Sequence, residues 1–185
     1  MLEQYLINHC APTLASLKTA NLFNCTAENP TALQMAVSRW QALLAPKGVE
    51  LLLLRESGDR ALVYVYRPDR LTRDLQQPGV AAFLAHCGYT GTAPAACLDV
   101  LRRKLAVSSV FPHEIGLFLG YPLGDVIGFI ENHGQNCLCC GVWKVYTNPE
   151  AAAGAFRKFS KCTRVYRRLF FGGQRNVEQL TVKSA

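Results

Sequence analysis

Val49-Glu50-Leu51-Leu52-Leu53-Leu54-Arg55-Glu56-Ser57-Gly58-Asp59-Arg60-Ala61-Leu62-Val63-Tyr64-Val65-Tyr66 holds two short apolar runs on either side of a Ser-Gly-Asp turn. Leucine, valine and tyrosine fill the runs, and both are too short for a typical helix. The stretch predicts a β-hairpin with strands over 49–54 and 61–66. Antiparallel strands joined this tightly make the fold α+β, because parallel strands need a long crossover.

Reading outward, the neighbours of the hairpin are helical. Pro12 opens a helix expected over 12–22, with Leu14, Leu17 and Leu22 or Phe23 facing a core. Asn29-Pro30 is a cap followed by a first-turn proline, and Leu33, Val37, Trp40 and Leu44 then recur at helical spacing. Pro46 and Gly48 end that helix. Downstream, helices are expected over 68–76, 79–86 and 94–107, then from Phe111-Pro112-His113-Glu114, and over 124–132. After the turn His133-Gly134-Gln135, residues 137–146 read as a strand. Asn148-Pro149 starts a long helix whose apolar stripe is Phe156, Phe159, Tyr166 and Phe170, stopped by Gly172-Gly173. The expected architecture is helix-rich α+β with a small, mainly antiparallel sheet of three to five strands. Val63-Tyr64-Val65-Tyr66-Arg67-Pro68 resembles Val142-Trp143-Lys144-Val145-Tyr146-Thr147-Asn148-Pro149 in outline. No linker-like stretch interrupts the chain, so a single domain over 1–185 is expected, with two pseudo-repeated α/β halves, 1–107 and 108–185, around a shared sheet as the alternative this likeness offers.

Composition narrows the function classes. Half of the 185 residues are hydrophobic and 18% are charged, which is globular rather than disordered. No apolar run approaches the roughly 18–20 residues that span a bilayer, and Met1-Leu2-Glu3-Gln4 does not read as a signal peptide. A cytoplasmic location is expected, with the eight cysteines reduced and mostly buried as small hydrophobes. The net charge of +7 is concentrated: residues 151–177 contain no acid, and Arg157, Lys158, Lys161, Arg164, Arg167, Arg168 and Arg175 fall among them. Arg157, Lys161, Arg164 and Arg168 share one helical face, the surface expected to meet an anionic partner. Nucleic acid is not the expected partner, because the nearby aromatics belong to the buried stripe.

Phe111-Pro112-His113-Glu114-Ile115-Gly116-Leu117-Phe118-Leu119-Gly120-Tyr121-Pro122 is similar to the signature of an uncharacterised family of clostridia and related Firmicutes. Asp125-Val126, Gly128-Phe129, Cys140-Gly141-Val142-Trp143-Lys144-Val145-Tyr146 and the early Cys10-Ala11-Pro12-Thr13-Leu14 share the resemblance. The family is a domain of unknown function, so it transfers no catalytic residues. The resemblance implies genes lying near flavodoxin and ferrous-iron transport genes. An iron or redox role in an anaerobic bacterium, with iron or haem as cofactor and an acidic protein such as flavodoxin as partner, is the corresponding expectation.

Several residues carry chemistry in this reading. Cys10, just ahead of the helix expected from Pro12, is placed as a thiolate nucleophile, with His113 as base and Glu114 or Asp125 orienting it. The competing role is a packing cysteine beside a structural proline. His113-Glu114 is not part of a His-Glu-x-x-His zinc motif, since residue 117 is leucine. Cys140 and His113 are the candidate metal ligands, with Cys137, Cys139 and His133 as further soft donors, although a strand would point Cys140 away from the other two thiols. Tyr121, Trp143, Lys144 and Tyr146 are the candidate cofactor contacts, or else the packed heart of the second half. Gly116, Gly120 and Gly128 recur at fourfold spacing, which suits close helix packing. Three functional readings follow: a metal- or cofactor-binding accessory protein, a cysteine-nucleophile enzyme for acyl transfer or hydrolysis, and a structural interaction module.

Overall fold

A computed structural model describes residues 2–26, 29–107 and 110–183. Residues 108 and 109, at which the second half is expected to begin, lie outside them. By Cα proximity the chain divides into unit 1, Met1–Arg70 with Lys161–Ala185, and unit 2, Leu71–Ser160.

The hairpin forms the heart of unit 1. Strands β2 (Glu50–Ser57) and β3 (Arg60–Tyr66) pair antiparallel around Gly58, whose φ of +59° is open to glycine at no steric cost. A bulge at Leu54 shifts the register, so that Leu53 faces Val63 while Arg55 faces Leu62. The other edge of β3 pairs with β1 (Ala20–Thr26), Phe23 opposite Val63, giving the order β1-β3-β2. The stretch placed in a helix over 12–22 thus ends as a strand. Its Ala-Asn-Leu-Phe-Asn-Cys-Thr sequence is too polar to announce itself, and pairing with β3 settles its conformation.

The helix at the N-terminus lies earlier than Pro12 suggests. Helix α1 (Leu2–Leu14) buries Leu2, Leu6, Ile7, Cys10 and Leu14, and Pro12 sits in its last turn rather than its first. The Pro12 carbonyl then accepts from Leu17 N at 2.9 Å and Lys18 N at 3.2 Å, closing the helix through a turn with Ser16 at φ +56°. Helix α2 (Pro30–Leu44) begins as its sequence predicts: the Asn29 side chain accepts from Thr31 N and Ala32 N, and Val37, Trp40 and Leu44 are buried. These residues, with Ala61, Val63 and Val65 from β3, form one apolar core. Tyr166, Leu169 and Phe170 pack against it, and Val177 and Leu180 of the short α9 (Val177–Leu180) complete it.

Unit 2 is a helical array carrying a small hairpin. Helices α3 (Pro68–Leu75), α4 (Val80–His86) and α5 (Pro94–Val107) follow the predicted spans closely. Then come the single turn α6 (Ile115–Phe118) and α7 (Leu123–Glu131). The strand expected over 137–146 is instead two two-residue strands, β4 (Cys139–Cys140) and β5 (Lys144–Val145), paired antiparallel through a turn at Gly141. Among the described residues the three-stranded and two-stranded sheets are separate. Helix α8 (Pro149–Phe171) starts with Ala151 N bound to the Asn148 side chain at 3.0 Å, and runs from unit 2 into unit 1. Among the described residues no helix is long and apolar enough to cross a membrane.

Candidate functional site

Unit 2 contains a cleft of about 320 Å³. Its buried floor is Ile115, Gly116 and Leu119 of the α6 segment with Val126 of α7. Two aromatic pairs line it. Tyr121 stacks on Trp143 with ring centroids 4.9 Å apart, and His113 meets Phe129 edge-on at 5.0 Å. Phe111, His113, Cys140, Gly141 and Val142 are the exposed lining residues. Burial pushes the Tyr121 hydroxyl up to about 12, and that hydroxyl approaches Val142 O at 3.4 Å.

Two glycines make this geometry sterically accessible. A Cβ at Gly116 would lie 2.8 Å from a methyl of Val126 and 3.2 Å from the Tyr121 ring. At Gly141 it would run into the Phe156 ring, which meets Trp143 edge-on at 4.6 Å. The β4–β5 turn can therefore tuck under α8 only without a side chain. Gly128 belongs to the same set, because a Cβ there would sit 2.5 Å from Cγ of Tyr146. Gly128→Ala gains about 1 kcal/mol of helix propensity but overpacks a rigid ring contact at a cost of roughly 1–3 kcal/mol. The expected outcome is a net loss of stability, read as a lower urea midpoint with an unchanged m-value.

Asp125 holds the hairpin in place. Its Oδ1 accepts from Tyr146 N at 2.8 Å, Thr147 N at 2.9 Å and Thr147 Oγ1 at 2.8 Å, while Oδ2 accepts from Trp143 Nε1 at 2.8 Å. Burial alone would raise its carboxyl pKa, but these donors together bring it below the ordinary value. Both oxygens are committed to this network, so Asp125 does not orient His113. Glu114 does not either: it is buried, 2.5 Å from Lys104 Nζ and 3.2 Å from Tyr89 Oη. Among the described residues no carboxylate pairs with His113.

The candidate residues thus separate into groups. His113, Tyr121, Cys140, Trp143 and Lys144 all line the cleft, and Lys144 Nζ is braced on Gly134 O at 2.5 Å. Tyr146 is a packing residue beside it, its ring over Gly128 and its hydroxyl on Gln135 O at 2.9 Å. Cys10 belongs to unit 1 and lies inside α1, not ahead of a helix. It has no solvent exposure, and burial drives its thiol far above the usual range. The neighbouring Lys18 ammonium is pulled down to about 7, also by burial. A thiol there has neither access nor thiolate character. Cys137, Cys139, Cys140 and His133 do not assemble a ligand set, since no group of three His, Cys, Asp or Glu side chains among the described residues could hold a metal ion. Arg157, Lys161, Arg164 and Arg168 are exposed along α8, and among the described residues no carboxylate pairs with them.

A family model described as "Protein of unknown function (DUF3793)" matches residues 6–181. The chain belongs to that family. No curated protein and no solved structure matches it. The match takes in most of α1 and every residue lining the cleft. Phe111, Phe129 and Val142, with the apolar floor residues Ile115, Leu119 and Val126, are among the lining residues that sequence reasoning did not single out as contacts. Their signal was available in part, since Phe111 and Phe129 flank the Gly-rich run around α6.

Proposed function

We propose that the protein binds a small, flat organic ligand in the unit 2 cleft. The observation that carries this reading is the convergence of Tyr121–Trp143 and His113–Phe129 on one apolar-floored cavity, with Lys144 beside it. A volume of about 320 Å³ lies near the lower end of the roughly 300–1,000 Å³ spanned by ligand sites. It suits one or two fused rings and is tight for a tetrapyrrole such as haem. Aromatic walls favour a planar occupant by offset stacking. His113 and Lys144 supply the few polar groups that would orient a substituent able to accept a hydrogen bond or carry negative charge. A ring-containing organic cofactor is the form in which an iron or redox role fits this cleft, because Cys140 and His113 alone are a short donor set for iron.

Anilinonaphthalene sulfonate, a fused two-ring anion, is a suitable probe. Trp40→Phe leaves Trp143 as the sole tryptophan, so its emission reports the cleft. Saturable quenching is expected. Val142→Glu, at an exposed rim position, is expected to weaken the probe by at least about tenfold, the equivalent of roughly 1.4 kcal/mol. Equal binding by this variant, or quenching that never saturates, would contradict the reading.

A further inference from the structure

All eight cysteines are free thiols, and Cys10, Cys25, Cys97 and Cys162 are buried. Of the four others, three fall within four consecutive residues: Cys137, Cys139 and Cys140. The chain bends at Asn136, which has φ +56°, and bends again at Leu138 before entering β4 at Cys139. Hydrogen bonds brace the segment, from Leu138 N to Val145 O at 2.8 Å and from Gly141 N to Trp143 O at 3.0 Å.

This geometry sorts the three thiols. Cys139 and Cys140 are consecutive strand residues and point to opposite faces of the pleat. Cys137 precedes the strand, and the bend at Leu138 releases it from the alternation that would align it with Cys139. A disulfide bridges Cα atoms roughly 4.4–6.8 Å apart, and residues three apart in sequence come that close only where the chain bends between them, as it does at Leu138. The Tyr146 hydroxyl is anchored on Gln135 O, and its pKa is raised by burial first and then by the charges of Cys137 and Cys140. Cys140 is exposed and lines the cleft, and Lys144 stands directly across the ladder from it.

We propose that Cys137 and Cys140 form a thiol–disulfide exchange couple at the unit 2 cleft. The co-reactant is a low-molecular-weight disulfide, RSSR. The exposed Cys140 thiolate attacks one of its sulfurs, forming a Cys140–SR bond and expelling RS⁻. The Cys137 thiolate then attacks the Cys140 sulfur, closing the Cys137–Cys140 bond and expelling the second RS⁻. Two protein thiols are oxidised, one disulfide is reduced, and the two thiol protons end on two RSH. Across from Cys140, the Lys144 ammonium complements the carboxylates of a peptide disulfide such as glutathione. The couple does not depend on what the cleft binds.

The test uses the full chain equilibrated in mixtures of reduced and oxidised glutathione, acid-quenched, unfolded and alkylated. Mass spectrometry is expected to show two of the eight thiols protected together, with peptide mapping to a Cys137–Cys140 bond. Cys139→Ser should keep this bond, whereas Cys137→Ser should accumulate the glutathione adduct on Cys140. Eight labelled thiols at every ratio, a bond that maps to Cys139, or unaltered protection in Cys137→Ser would overturn the proposal. Mapping of the unsubstituted chain decides the matter even where a variant fails to fold.

Discussion

Arg67→Met is expected to destabilise unit 1 by about 3–5 kcal/mol, the range for removing one partner of a buried charged network. Arg67 has no solvent exposure. Its Nε donates to Thr13 O at 2.7 Å, Nη2 to Leu14 O at 2.7 Å and Val182 O at 2.8 Å, and Nη1 to Lys47 O at 3.3 Å. One guanidinium therefore serves the last carbonyls of α1, the corner between α2 and β2, and the C-terminal tail. The α1 carbonyls have no partner within their own helix, and a cation also complements the negative end of its dipole. Methionine keeps the aliphatic stem but removes every guanidinium donor, leaving Thr13 O to Ser16 N and Leu14 O to Val182 N. Lysine cannot replace the fork, because one ammonium has three donors and a different geometry. A loss of this size lowers the melting midpoint by roughly 6–20 °C for a chain of this length. Circular dichroism during heating measures it, and a shift within about 2 °C would mean that the carbonyl network carries little of the stability.

Asp125→Ala is expected to cost about 2–4 kcal/mol in unit 2, since hydrogen bonds to a charged group contribute roughly 1.5–3 kcal/mol each and several of these donors are partly exposed. Trp143 loses its anchor in this variant, so its emission should shift before global unfolding. The pH dependence has a definite sign. The folded-state carboxyl pKa is depressed by the donors that bind it, so on acidification the unfolded chain takes up the proton first. The stabilisation is complete above the unfolded carboxylate value of about 3.9 and is lost as pH falls through the lower folded value. Asp125→Ala removes this contribution, and its stability should fall less steeply below about pH 4. Urea titrations at several acidic pH values, followed through Trp143 in the Trp40→Phe background, measure the difference. Parallel curves for the two proteins would show that Asp125 is not the linkage site.

Local signals account for much of the fold. The hairpin was legible because two apolar runs flank a glycine turn, and α2 and α8 because Asn29-Pro30 and Asn148-Pro149 are cap-and-proline starts. The same proline signal misplaces α1, because Pro12 ends that helix rather than opening it. The true stripe, Leu2, Leu6, Ile7, Cys10 and Leu14, lies upstream of it. Strand β1 was invisible because its pattern is weak and its partner β3 begins 34 residues further on. The stretch 137–146 reads as one strand until Phe156, from α8, is seen to require a turn at Gly141. Of the cleft, His113, Tyr121, Cys140, Trp143 and Lys144 could be found from their reactive or aromatic side chains, whereas Phe111 and Phe129 could not. Arg67 and Asp125 could not be given their roles, because both act on groups brought near only by the tertiary fold.

The most direct measurement on the cleft is the indole N–H resonance of Trp143 in protein labelled with ¹⁵N, titrated with a set of one- and two-ring aromatic fragments. That proton is held by Asp125 at the cleft wall, while Trp40 in the unit 1 core serves as the internal control. A ligand-binding cleft predicts saturable shifts of Trp143 by a subset of fragments with Trp40 unmoved. A Trp143 resonance that no fragment moves, or that moves only together with Trp40, would contradict it.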